Sequence, residues 1–159
     1  MIRAPSRWLL FGTLLFAIVF ALIPMPVSFS AMRPYLLGIF FAYWILESPA
    51  LLGLGSAFLI GLLADLALAT PLGEQAMRLV VMVYLVQRFR ARLRFFPLWQ
   101  QAIAVGLLLF NDRVIATVLH LAMGLPLPPW GAWLSPVVGM FLWPWIFMLL
   151  DLARLRARN

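Results

Sequence analysis

Arginine occurs in three bursts along an otherwise apolar chain, and that placement restricts the fold more than any other feature. Nine of the twelve basic residues, all of them arginine, fall at Arg3 and Arg7, at Arg88, Arg90, Arg92 and Arg94, and at Arg154, Arg156 and Arg158. Basic loops are retained on the cytoplasmic side of a bilayer. An even number of crossings must therefore separate each neighbouring pair of bursts. The pattern predicts an all-α integral membrane protein with its N- and C-termini cytoplasmic.

Composition supports that class. Hydrophobic residues make up 65% of the 159 residues and charged ones 11%, against about 45–50% and 25% in soluble domains. The net charge of +7 belongs to arginines that flank apolar runs and do not form a separate basic face. The matching partner is an anionic lipid headgroup, not nucleic acid. With no cysteine and one histidine, His120, neither a disulfide framework nor a Cys/His metal site is expected, and no cofactor is implied. The start resembles a secretory signal, with Ser28-Phe29-Ser30-Ala31 at cleavage-like spacing. Because the chain stays apolar for another hundred residues, the first run reads as an uncleaved span.

A single transmembrane domain over residues 1–159 is expected, with spans at 8–23, 34–46, 50–69, 72–87, 98–121 and 134–150. Pro24 and Pro26 stop the first span, and Pro34 suits the first turn of the second. Glu47-Ser48-Pro49 reads as a tight cytoplasmic turn, Gly124 to Trp133 as a Pro/Gly/Trp-rich outer loop. Lipid leaves no partner for unpaired backbone groups, so the spans are helices. The second and fourth are short for a core about 30 Å thick; a four-span arrangement with that pair re-entrant satisfies the charge rule equally.

Charges inside the spans cluster toward the outer half. Asp65 lies late in the outward-running third span, Glu74 and Arg78 one turn apart at the start of the fourth, and Asp112 and Arg113 about 22 Å along the fifth. Buried charges need partners, so Asp65, Glu74, Arg78, Asp112 and Arg113 are read as an intramembrane polar network, with Asp65 expected to pair with Arg78 or Arg113. Gly53, Ala57, Gly61 and Asp65 recur every four residues, a small-residue face for close packing of helices or of a partner. Trp143-Pro144-Trp145 in the sixth span is a second candidate partner face, Pro144 being expected to kink it. The tryptophans are expected mostly at membrane–water boundaries, and His120 as an interfacial hydrogen-bonder. Arg88, Arg90, Arg92 and Arg94 read as a cytoplasmic basic loop or frayed helix end. No nucleophile–base pair, phosphate-binding glycine loop or carboxylate pair emerges, so an enzyme is not expected.

Several of these stretches carry a resemblance. Arg33-Pro34-Tyr35-Leu36, Tyr43-Trp44-Ile45-Leu46 with Pro49, Gly61-Leu62-Leu63-Ala64-Asp65-Leu66, Leu72-Gly73, Leu98-Trp99-Gln100-Gln101-Ala102, Asp112 and Leu142-Trp143-Pro144-Trp145-Ile146-Phe147 before a basic tail follow in order along nearly the whole chain. Together they resemble the bacterial rod shape-determining MreD family in its proteobacterial form. The Trp-Pro-Trp and Trp-Gln-Gln motifs are the specific ones; the segment from Gly124 to Trp133 matches no motif of the family.

The resemblance implies a multi-pass, non-enzymatic protein of the bacterial inner membrane, part of the cell-elongation machinery. Its implied partner is the bitopic protein MreC; MreB filaments, RodA and RodA's transpeptidase partner are implied indirectly, through lateral peptidoglycan synthesis. It also implies a fold similar to the six-helix substrate-binding subunits of energy-coupling-factor transporters. Two functions follow as expectations. One is a membrane scaffold that binds MreC through the Gly53/Ala57/Gly61 stripe or the Trp143-Pro144-Trp145 helix. The other is a small-solute-binding or transport subunit, with Asp65, Arg78 and Asp112 lining a pocket in the periplasmic half.

Overall fold

The computed structural model describes residues 7–156; Arg3 and Arg158 of the outer arginine bursts lie outside them. The described residues form α1 (Arg7–Leu22), a single turn α2 (Val27–Ser30), α3 (Leu36–Glu47), α4 (Leu54–Leu68), α5 (Glu74–Leu93), α6 (Leu98–Ala122) and α7 (Ser135–Arg156), with a 3₁₀ turn at Trp130–Leu134 before α7. Every element is helical. α6, and α7 together with its leading 3₁₀ turn, are long and apolar enough to cross a membrane, whereas α1, α3 and α4 are shorter apolar helices.

Local chemistry explains the helix ends. α1 stops ahead of Pro24, and the Arg33 guanidinium gathers the carbonyls of Ala21 and Ile23, two of the acceptors that a helix C-terminus leaves unpaired. Gly53 opens α4, where the Ser56 hydroxyl accepts from the Gly53 N–H at 2.8 Å. Gly73 precedes α5 with φ +97°, a backbone region that side chains with a Cβ rarely enter. α7 continues as helix through Pro144.

The second span, short by sequence, is the centre of the molecule. α3 has 12 residues, about 18 Å of helix. All residues from Leu37 to Leu46 are buried, with Phe41, Tyr43, Trp44 and Ile45 fully enclosed. α1, α5, α6 and α7 pack around it, so α3 is enclosed by protein. Trp44 and Trp143 therefore depart from the boundary role expected of tryptophans. Trp44 donates its indole N–H to the Thr13 hydroxyl at 3.0 Å, and Trp143 packs on Phe147, whose ring meets Tyr43 edge-on at 5.4 Å. Trp8, Trp99, Trp130 and Trp145 face outward.

Three boundaries differ from the sequence reading. α4 begins at Leu54, not at residue 50, because Pro49 and Gly53 delay it. α7 continues to Arg156. α5 runs to Leu93 and takes Arg88, Arg90 and Arg92 into regular helix, with Arg94 as its C-cap, so this burst is not a loop. Arginine has good helix propensity and favours a helix C-terminus. Arg90 also has a specific role: its Nε donates to the Ile45 carbonyl at 2.9 Å and to the Leu46 carbonyl at 3.2 Å, closing the last turn of α3. Arg88, Arg92 and Arg94 are exposed.

The small-residue stripe is internal. Ala57 and Asp65 are buried in α4, and Gly61 lies against the Ala76 backbone of α5, where any Cβ would clash. Gly53, by contrast, faces open space. Outside the core the surface is apolar, with Phe11, Leu15, Leu63, Leu107, Phe141 and Leu149 among its exposed side chains. Gly61→Leu is expected to cost at least the ~1–3 kcal/mol typical of overpacking, lowering the thermal midpoint or preventing folding. Gly53→Ser should leave the midpoint unchanged; thermal unfolding of the two purified variants reads the contrast.

Candidate functional site

The charged residues of the spans gather at the end of the bundle opposite the arginine bursts, where α1, α4 and α6 finish and α3 and α5 begin. Asp65, fully buried near the end of α4, does not pair with an arginine as expected. Its carboxylate accepts the Thr70 hydroxyl and the backbone N–H groups of Gly73 and Gln75, each at 2.8 Å. The positive end of the α5 dipole replaces the expected countercharge, and the α4–α5 turn is drawn tight around it.

Arg78 has the partner across helices. Its Nε and one terminal nitrogen form a two-pronged bond to Asp112 of α6, at 2.9 and 2.7 Å, the planar geometry that makes arginine–carboxylate pairs strong. Glu74, one turn back on α5, approaches the same guanidinium at 3.6 Å. The Tyr35 ring lies 4.4 Å beneath it, a cation–π contact. His120 completes the group: its Nε2 stands 3.4 Å from Glu74, and its Nδ1 lies 2.9 Å from the Pro126 carbonyl. Arg78, Asp112 and Glu74 are all buried.

The five residues of the expected network are thus not one network. Glu74, Arg78 and Asp112 form one cluster, Asp65 caps a helix beside it, and Arg113 stands apart. Asp112 and Arg113 are consecutive on α6, so their side chains point about 100° away from each other. Tyr35 and His120 were not expected in the cluster. His120 could have been placed there, since it continues the Asp112–Ala116 stripe of α6 in steps of four; Tyr35 carries no comparable signal.

Beside the cluster is a cavity of about 290 Å³ whose polar lining includes Arg33, Arg78, Arg113, Tyr35 and Gln75. Neither Asp65 nor Asp112 lines it, in contrast to the pocket expected from sequence. A second cavity, of about 430 Å³ under the Pro128–Ala132 loop, shares Arg78, Arg113 and Ser30 with the first and adds Glu74 and His120.

The arginine-rich end is closed differently. Glu47, the last residue of α3, meets Arg154 of α7 at 2.7 Å, and Arg154 also holds Asp151 at 3.0 Å. Burial works against the charged Arg154, but the hydrogen bond and charge of Glu47 outweigh it and raise its pKa. Between α1 and α7 runs an almost wholly apolar groove of about 550 Å³, walled by Trp8, Phe16, Ile146 and Leu149 and floored by Leu36 and Phe40 of α3. Of the Trp143-Pro144-Trp145 motif, Trp143 is core and Trp145 is exposed. The motif is therefore not one continuous face.

A helical bundle with an apolar exterior and its few charges turned inward defines a protein whose surface suits lipid. The family model described as rod shape-determining protein MreD matches residues 3–153. A curated relative, the rod shape-determining protein MreD of Haemophilus influenzae (strain ATCC 51907 / DSM 11121 / KW20 / Rd), is 32% identical over 142 residues, which cover 89% of this chain and 88% of the relative. No solved structure matches. The chain belongs to the MreD family.

Asp112→Asn should leave Arg78 buried without its principal countercharge, at a cost of about 3–5 kcal/mol. Combining Asp112→Leu with Arg78→Met removes both charges and should recover part of the loss, since Glu74 then keeps only His120 as a partner. Unfolding midpoints of the single and double variants in one detergent test this. Asp65→Asn keeps one acceptor oxygen and should cost less, about 1–2 kcal/mol, in the range of a lost helix cap.

Proposed function

We propose that the chain is a non-enzymatic scaffold of the cell-elongation machinery in the bacterial inner membrane, crossing it six times with both termini cytoplasmic. Family membership supports a role in rod shape. The three arginine bursts support the orientation, since Arg88, Arg92 and Arg94 project from the same end of the bundle as Arg154 and Arg156. Anionic headgroups on the cytoplasmic leaflet are their natural neighbours, each exposed arginine adding about 1 kcal/mol of attraction.

The observation that carries the scaffold reading is the apolar groove between α1 and α7. In lipid, helices associate through close packing and interhelical hydrogen bonds, because acyl chains are as apolar as leucine. A groove floored by the central helix offers that packing to a single transmembrane helix, such as the one MreC carries. In the Gly53/Ala57/Gly61 stripe Gly61 lies against α5 and Ala57 is buried, so the stripe is set aside as the docking face. Through MreC the protein would stand between MreB filaments and the enzymes of lateral peptidoglycan synthesis, RodA and its transpeptidase partner.

A second reading, a small-solute-binding or transport subunit, draws on the polar cavity at the outer end. Deletion of the gene separates the two: rods rounding into spheres are expected from the scaffold, a nutrient requirement with normal shape from the rival. A photo-crosslinking residue at Phe16, in the groove, should capture MreC. The same residue at Leu63, exposed on α4, should not. Equal capture at both positions would refute the groove as the docking face.

A further inference from the structure

The outer cavity is enclosed on one side by charge that the protein itself does not match. Arg78 is committed to Asp112 and Glu74, and Arg33 to the carbonyls that end α1. Arg113 is committed to nothing. Among the described residues its guanidinium makes no hydrogen bond and lies within 4.0 Å of no carboxylate, and its Nε is buried. It forms wall shared by both cavities. The two nearby carboxylates, Asp112 and Glu74, turn to Arg78 and His120 instead.

Three further buried polar atoms without partners belong to residues lining the same cavity: the Arg33 Nε, the Tyr35 hydroxyl and the Gln75 Oε1. Buried polar atoms in folded proteins almost always have partners; of the eight without one among the described residues, four belong to residues lining this cavity. Three of them donate: a guanidinium from α6, another from the segment before α3, and a phenol at the start of α3. Donors that separate elements bring to one cavity suit a tetrahedral oxyanion, whereas a planar carboxylate is satisfied by a single guanidinium fork. The fourth, Gln75 Oε1, only accepts, and asks for a hydroxyl on the same ligand.

We propose that this cavity is a binding site for a phosphate ester bearing a neighbouring hydroxyl, with Arg113 as its principal anchor and Tyr35 and Gln75 reading the ester and its hydroxyl. The ester is either the headgroup of an anionic phospholipid or a free soluble phosphate ester. The site goes beyond the scaffold reading and does not rest on it, because a shape role neither requires nor forbids it.

The test uses the full chain, purified and placed in nanodiscs, with thermal midpoint as the readout and Arg113→Gln as the variant. In phosphatidylcholine without added ligand, removing an unmatched, half-buried charge should leave the midpoint unchanged or raise it. Glycerol 3-phosphate at a hundredfold excess over its dissociation constant should raise the wild-type midpoint by about 5 °C or more. The gain should vanish in Arg113→Gln and shrink in Tyr35→Phe. If instead only phosphatidylglycerol nanodiscs stabilise wild type over Arg113→Gln, the site takes a lipid headgroup. The exposed arginines are present in both proteins and cancel in that comparison. The proposal is overturned if neither probe distinguishes wild type from Arg113→Gln. It is equally overturned if Arg113→Gln loses stability in phosphatidylcholine alone, since Arg113 would then be an internal ion partner.

Discussion

The two-pronged bond from Arg78 to Asp112 sets the register of the bundle. A buried ion pair gives little net stability, because desolvating both charges offsets their attraction, but breaking it leaves a charge stranded in a medium of low dielectric constant. Here the penalty acts on three helices at once. Arg78 stands on α5, Asp112 on α6, and the Tyr35 ring under the guanidinium precedes α3. A shift of either long helix by one residue would separate the charges, and apolar side chains sliding against lipid would do little to resist it. The hydrophobic surface thus permits many arrangements of these helices, and the polar cluster selects one.

The two ends of the bundle divide the remaining tasks. At the arginine-rich end the central helix is sealed: Arg90 holds its final carbonyls, and Glu47 is tied to Arg154 of the last helix. At the other end the helices splay around a polar cavity, the chain between α1 and α3 makes only a single turn, and Ser135 reaches across to the Arg33 carbonyl at 2.7 Å. One end is therefore tied by an ion pair and by carbonyl contacts, while the other surrounds a polar cavity.

Much of the fold was legible because the signals were local. Pro24, Pro34, Pro49 and Pro97 mark helix boundaries, and the arginine bursts mark one end. The 3.6-residue period likewise placed Glu74 beside Arg78. What escaped was non-local. Asp65 was expected to seek an arginine because a buried carboxylate needs positive charge; the start of α5 supplies it from backbone N–H groups that no charge count includes. By sequence Arg90 reads as part of a basic loop or frayed helix end, because nothing in its neighbourhood names the α3 carbonyls it closes. The central position of α3 was hidden for a related reason. A helix buried on all sides has no polar face, so its periodicity is silent, and nothing in its composition says that protein surrounds it. Trp143 shows the same limit, since tryptophan statistics describe boundary sites whereas this ring packs between Phe147 and the core.

The capped turn between α4 and α5 has a consequence for biogenesis. An aspartate at the middle of an isolated apolar segment opposes partitioning from the translocon into lipid by about 2.5–3.5 kcal/mol, and one near the segment's end, as Asp65 is, by less. Asp65 finds all its partners within the next ten residues, at Thr70, Gly73 and Gln75. The fourth helix is therefore poorly suited to leave the translocon before the fifth has begun to emerge from the ribosome. Insertion of the two together, as one hairpin with the carboxylate already hydrogen-bonded at its tip, would spare Asp65 that cost.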